Sequence, residues 1–269
     1  MLAYDTIRSG GDPIVALAGG AARHPAYLGD LAGIGTDRFH LVVPHLRGVG
    51  DSAHLTPTSF WDQAADLDAL RESLGRDKLI ITGHSAGTRL ALAYAAQHPG
   101  RVDALVLITP PPAWLVTVPS DTDAIIAPRR GDPVVRDALA RWEAGPPAPI
   151  DDASLTAWFR AAAPISYAHW GPAEQAHALV GDVSYRANRA YLDVTPPDDL
   201  TALLGKVDAP VLVVAGGADY SAGMAPVRAV ADLFPHGRAV TIPDSGHYPW
   251  VEQPDAFRTA VDAFLSATR

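Results

Sequence analysis

The feature that most constrains this 269-residue chain is an alternation of short apolar runs with helical patterns. Six runs rich in β-branched residues recur: PIVALAGG (13–20), FHLVVPH (39–45), KLIITGH (78–84), VDALVLITP (102–110), PVLVVAGG (210–217) and RAVTIPDSGH (238–247). Most end in a turn signal and lead into a helical pattern. In two of the helices, Phe60, Ala64, Leu67 and Leu74 share one face, as do Phe257, Ala260, Val261, Phe264 and Leu265. Strand followed by helix, repeatedly, predicts an α/β fold whose mostly parallel sheet is covered on both faces. The alternation lapses between about Pro111 and Leu192, where Pro and Gly break short helical patterns and four of the six tryptophans collect. Residues 1–110 and 193–269 are therefore expected to form the core, with 111–192 inserted as a helical cap. The cap's aromatics are expected to form its small core and, where unpacked, to line a cleft against the sheet.

Composition narrows the function. A net charge of −9 with no basic run argues against a nucleic-acid partner. With no cysteine there is no disulfide framework and no thiolate nucleophile or ligand. No stretch approaches the ~18 apolar residues of a membrane span, and Asp5 and Asp12 precede the first apolar run where a secretory signal would be basic. A soluble cytoplasmic protein acting on a small molecule, without membrane or nucleic-acid partners, is the expectation; a homo-oligomer is left open. No metal or other cofactor is implied: there is no H-E-x-x-H cluster, and neither GIGTDRF nor RGVGDS has the third glycine of a dinucleotide fingerprint.

One short segment carries chemistry. In KLIITGHSAGTRLALAYAAQHPG, Ser85 stands between Gly83 and Gly87 at a strand-to-helix junction. A sharp turn there lifts a serine hydroxyl above the strand end and leaves no room for side chains two residues to either side. The Ala86 N–H then points from a helix N-terminus at the same place, where it suits a developing oxyanion. The hydroxyl needs a base. Of ten histidines, His247 in DSGHYPWVEQPDAF follows the last strand and precedes the last helix, on the same sheet edge as Ser85. His84 is expected to point away around the turn, and the other histidines to be surface or structural. Asp219, in VLVVAGGADY, follows the penultimate strand and can orient the base; the competing reading makes it the N-cap of a helix near Met224.

The elbow ITGHSAG, the acid strand PVLVVAGGAD and the turn SGHYPWVEQPDAF together resemble the α/β-hydrolase superfamily, over almost the whole chain. HLRGVGDS (45–52) resembles the D-x-R-G-x-G-x-S segment of the branch containing proline iminopeptidases and many cofactor-free esterases. His45 stands where that branch has Asp, and LAGGAARHP replaces its H-G-G-P-G loop, with Ala18 and Ala21 in place of His and Pro. The resemblance implies a Ser85–Asp219–His247 triad, an oxyanion hole of the Gly20 and Ala86 amides, and acyl transfer on an ester, thioester, lactone or amide of a small, largely apolar substrate. Trp142, Trp158 and Trp170 of the cap are candidate substrate contacts. Glu143, in ARWEAGPP, resembles the branch's amine-binding cap carboxylate, with Glu174 as a helper, which keeps an iminopeptidase-like aminopeptidase as an alternative. A cyclising or acyl-transferring enzyme and a non-enzymatic binder on the same scaffold are the remaining readings.

Overall fold

The structure, a computed structural model, describes residues 1–35 and 38–268; Thr36 and Asp37 of GIGTDRF, and Arg269, lie outside it. Seven strands form one sheet: β1 (Tyr4–Ile7), β2 (Asp12–Leu17), β3 (Phe39–Pro44), β4 (Leu79–His84), β5 (Val102–Ile108), β6 (Val211–Gly216) and β7 (Gly237–Ile242). Their order is β1-β3-β2-β4-β5-β6-β7. Only β1 runs antiparallel, pairing Tyr4 with Pro44 and Ile7 with Leu41. This strand has no counterpart in the sequence reading. YDTI lies on a sheet edge with three of its four residues exposed, so it lacks an apolar run.

Alternation along the central strands splits the core in two. Leu79 and Ile81 of β4 and Leu105 and Leu107 of β5 pack toward α1 (Ala64–Ser73) and α2 (Gly87–Gln97). Ile80 of β4 and Ala104, Val106 and Ile108 of β5 face Leu28, Leu31, Phe257 and Val261 on the other side. Both faces are buried, so these strands are apolar at nearly every position.

Between β5 and β6 the described chain holds helices and no strand: α3 (Thr122–Ile126), α4 (Pro133–Ala144), α5 (Asp152–Ala162), α6 (Pro172–Ala178), α7 (Tyr185–Leu192) and α8 (Leu200–Leu204). Its own small cluster is aliphatic, with Ile126, Val135, Ala138, Leu139 and Ile165, rather than aromatic. Tyr191 instead joins the main core beside Phe60, their ring centroids 5.7 Å apart. The last three helices are α9 (Ala225–Ala229), α10 (Pro249–Glu252) and α11 (Pro254–Ala267). No helix among the described residues is long and apolar enough to cross a membrane.

One carboxylate ties the helical segment to the loop after β7. Glu252, at the end of α10, accepts N–H bonds from Gly246 (2.7 Å) on one oxygen and from Ala168 (2.6 Å) and His169 (3.3 Å) on the other. Burial raises its pKa to about 7, against the pull of those three donors. An acid whose pKa is raised on folding contributes stability that is complete below its unfolded value and is lost as pH rises through the folded value. We therefore expect the unfolding free energy of wild type, relative to Glu252→Gln, to fall by about 1–3 kcal/mol between roughly pH 4.5 and 7 and then level off. Urea melts of both proteins at pH 5 and pH 8 measure it; a pH-independent difference would mean that the carboxyl is ionised throughout.

Candidate active site

The turn after β4 is held from several sides. Ser85 has φ of +50°, in the left-handed region that a β-carbon disfavours. Its N–H donates to Ile108 O (2.9 Å), and its carbonyl accepts from the Thr88 N–H (2.9 Å) and hydroxyl (2.6 Å). A β-carbon on Gly87 would sit 2.4 Å from Leu17 O, and one on Gly83 would sit 3.0 Å from the Thr88 backbone. Close approach to β2 and to the first turn of α2 is therefore what requires glycine at both positions. Among the described residues, none forms a hydrogen bond with Ser85 Oγ, so the hydroxyl is free to rotate.

Asp219 is fully buried, and its Oδ2 accepts from Nδ1 of His247 at 2.8 Å. Its Oδ1 takes the N–H groups of Ser221 (2.8 Å) and Ala222 (3.2 Å), closing a turn. The N-terminus of α9 is served by another acid: Asp121 accepts from Met224 N (2.9 Å) and Ala225 N (2.8 Å). Asp219 is thus free of the helix-cap duty that was its competing reading. With Nδ1–H committed to the carboxylate, His247 carries its free lone pair on Nε2. Its backbone is also fixed, because its N–H donates to Ser166 O at 2.7 Å.

His84 does not point away from the site. It is buried, with its ring 4.8 Å from that of His247. Nε2–H donates to the His247 carbonyl (3.0 Å), so Nδ1 accepts from the Tyr27 hydroxyl (2.8 Å), which in turn accepts from Gly19 N–H. Burial and the neighbouring His247 push its pKa well below the usual histidine value, so the ring is neutral and its tautomer fits this chain. His84 braces the loops after β2 and β7 against the end of β4. Strand alternation held the clue: Ile80, Thr82 and His84 share the face of β4 that packs toward Leu28 and Leu31. His177, expected at the surface or in a structural role, is a second strut, between the Tyr167 hydroxyl (2.7 Å) and Tyr27 O (2.8 Å).

Gly20 (φ +66°) lies in the loop after β2, and Ala86 precedes α2. Neither amide N–H donates to a protein acceptor among the described residues, leaving both available to a ligand. A single helix fixes both loops. Asn188 of α7 donates to the Gly20 (3.2 Å) and Ala21 (2.9 Å) carbonyls, and the Tyr191 hydroxyl, one turn on, donates to Ala86 O (2.9 Å).

Gly20, Ser85 and His247 line one cavity of about 240 Å³. Trp142 also lines it. Trp158 does not: it stacks on Trp142 (5.1 Å, 18°) and donates to Arg141 O. Trp170 packs against Tyr167 (5.4 Å) behind the wall, and Glu143 is exposed and outside the lining. In their place stand Phe159, Tyr167, Tyr27 and Tyr248, with Arg23 and Arg160. Phe159 and Tyr167 belong to the aromatic-rich segment 111–192, but which of its rings reach the cavity depends on how short helices pack, and no motif assigns a role to Tyr27, Tyr248, Arg23 or Arg160. No cluster of three or more metal-ligating side chains occurs among the described residues.

Known proteins share the fold of this chain. The model of the alpha/beta hydrolase fold matches residues 12–254. A protein named as a carbamate hydrolase, RutD, of Caulobacter sp. (strain K31) is 29% identical over 239 residues, which are 85% of this chain and 81% of that one. A proline iminopeptidase of Neisseria gonorrhoeae is 39% identical over 102 residues, 36% of this chain and 32% of that enzyme, so this likeness spans about a third of the relative. Among solved structures, a thermophilic esterase from Thermogutta terrifontis shares the fold with a TM-score of 0.73 at 23% identity, covering 99% of this chain and 93% of that one. The strand order, together with a match that runs from β2 to the start of α11, means that this chain belongs to the alpha/beta hydrolase fold family.

Proposed function

We propose that the protein is a serine hydrolase that cleaves an ester, thioester, lactone or amide bond of a small substrate through an acyl-enzyme, with carboxylic esters foremost. The observation that carries this reading is the buried 2.8 Å Asp219–His247 bond in a cavity that also exposes Ser85. In this reading His247, which lines the same cavity as Ser85, takes the hydroxyl proton on Nε2 as Oγ attacks the carbonyl carbon. Asp219 holds the imidazolium that forms. The Gly20 and Ala86 N–H groups receive the oxyanion, and because both lack protein acceptors they need not break a bond to do so. His247 then protonates the leaving group, and water attacks the acyl-enzyme by the same steps in reverse. In this reading residues 111–192 act as a cap over the sheet edge, closing the cavity with Trp142, Phe159 and Tyr167. Trp158 supports Trp142 from behind, and Trp170 supports Tyr167.

The cavity lining argues against an aminopeptidase despite the partial likeness to proline iminopeptidases. A substrate's free amine needs a carboxylate facing the cavity, yet no Asp or Glu is among the described residues that line it. Glu143 is exposed, and Glu174 is engaged with Gly171 N–H at 2.9 Å.

Ser85→Ala is expected to abolish labelling by a fluorophosphonate and to lower turnover of p-nitrophenyl esters by about 10⁵-fold or more. Retained turnover would point to another nucleophile, and a wild-type protein that never labels would point to a binder. Asp219→Asn should fold and lose on the order of 10⁴-fold in kcat, because the wrong imidazole tautomer then faces Ser85. For Asn188→Ala we expect kcat to fall about 10–100-fold with KM little changed, since its contacts act on the oxyanion loop rather than on the ground-state ligand. A rise in KM at constant kcat would give Asn188 a substrate-binding role instead.

A further inference from the structure

The charge lining the cavity runs opposite to that of the whole molecule. The chain carries a net charge of −9, yet the described lining holds two guanidinium groups, Arg23 and Arg160, and no carboxylate. The remaining titratable groups there do not offset them. His84 is neutral, and burial raises the Tyr27, Tyr167 and Tyr248 phenols above the usual tyrosine value.

Arg23 is held firmly but left uncompensated. Its backbone is fixed by the strand-like bridge to Val183, and its guanidinium lies over the Tyr27 ring at 4.3 Å. Nε and Nη2 donate to Val180 O, and Nη2 also reaches the His177 (3.4 Å) and Ala178 (3.3 Å) carbonyls at the end of α6. All these acceptors are neutral. Nη1 makes a single long bond, 3.4 Å, to the Tyr248 hydroxyl, so at least one of its two N–H groups has no acceptor among the described residues. The Arg23 charge is thus neutralised by no carboxylate hydrogen-bonded to it, and an anion entering the cavity would meet an unused N–H donor. Arg160 is paired with a carboxylate outside the lining, its Nη2 binding Asp182 (2.7 Å) and Leu179 O (2.9 Å), while its Nε is buried with no partner. Two arginine heads with unused N–H groups, in a volume below the ~300 Å³ typical of drug-sized pockets, suit one small planar anion.

Arg23 also sits three residues after Gly20, on the loop proposed to bind the acyl oxygen. We propose, resting on the serine-hydrolase reading, that the cavity selects short acyl groups ending in a carboxylate, which Arg23 binds beside the Tyr248 hydroxyl, with Arg160 as a second donor. The substrate is then a half-ester, half-thioester or related derivative of a short dicarboxylic acid: apolar along its chain, anionic at its end.

The test is a matched pair at low ionic strength, mono-p-nitrophenyl adipate against p-nitrophenyl hexanoate, each corrected for spontaneous hydrolysis. Wild type should favour the adipate at least about 10-fold in kcat/KM, with the preference shrinking as salt rises. Arg23→Gln should bring the ratio to about one, Arg23→Lys should keep part of it, and Arg160→Gln should reduce it. These last two variants carry the mutational test if Arg23→Gln fails to fold, and the wild-type ratio decides without any variant. A protein that labels at Ser85 and hydrolyses hexanoate as well as or better than adipate overturns the carboxylate assignment alone, as does a ratio unchanged in Arg23→Gln. No labelling and no turnover of either ester would instead overturn the hydrolase reading beneath it.

Discussion

Asp219 is fully buried, and its carboxylate accepts three hydrogen bonds, from two backbone N–H groups and the Nδ1–H of His247. A carboxylate in that position is tolerated only while those donors stay in place. The rest of the site follows from this constraint. His247 must sit where its ring reaches Asp219, so the loop after β7 must close against the loop after β6. The imidazole is left with one nitrogen free, facing the cavity that Ser85 shares.

Several long-range contacts make that closure specific. Glu252 gathers the N–H groups of Gly246, Ala168 and His169, drawing the His247 loop onto the helical segment. His84 joins the His247 carbonyl to Tyr27 and so to Gly19. Asn188 and Tyr191 reach from α7 to the loops holding Gly20 and Ala86. Each strut links elements more than fifty residues apart, and together they convert three separate strand ends into one rigid rim. The helical segment is therefore more than a cover, because part of the rim's geometry is set by its side chains. Rigid placement of donors before a ligand arrives is what electrostatic stabilisation of a developing charge requires.

Much of this architecture is legible in sequence because strand ends and glycines leave local marks. A buried parallel strand reads as a continuous apolar run, which is how β2 to β6 announce themselves, and the paired glycines around Ser85 reflect contacts at 2.4 and 3.0 Å. β1 leaves no such mark, being an exposed edge held by its backbone. The sharp turn at Ser85 suggests that His84 points away, whereas its place at the end of β4, alternating with Ile80 and Thr82, is what buries it beside His247. Among the aromatics of residues 111–192, Trp142 reaches the cavity while Trp158 stacks on Trp142 and Trp170 packs against Tyr167. Their ring positions depend on the mutual tilt of α4, α5 and the turn at 163–166, which no local pattern encodes.

The sequence by itself determined the six parallel strands and their alternation with helices, the position of Ser85 at a forced turn, and the candidacy of Asp219 and His247. Those properties arise from backbone sterics and hydrophobic periodicity, which act over a few residues. Only the tertiary structure decided that Asp121 rather than Asp219 caps α9, that His84 braces the rim, and that Arg23 lines a cavity with no carboxylate among the described residues around it. Hydrogen bonds and charge compensation depend on which distant side chains arrive at one place, and a linear pattern does not carry that information.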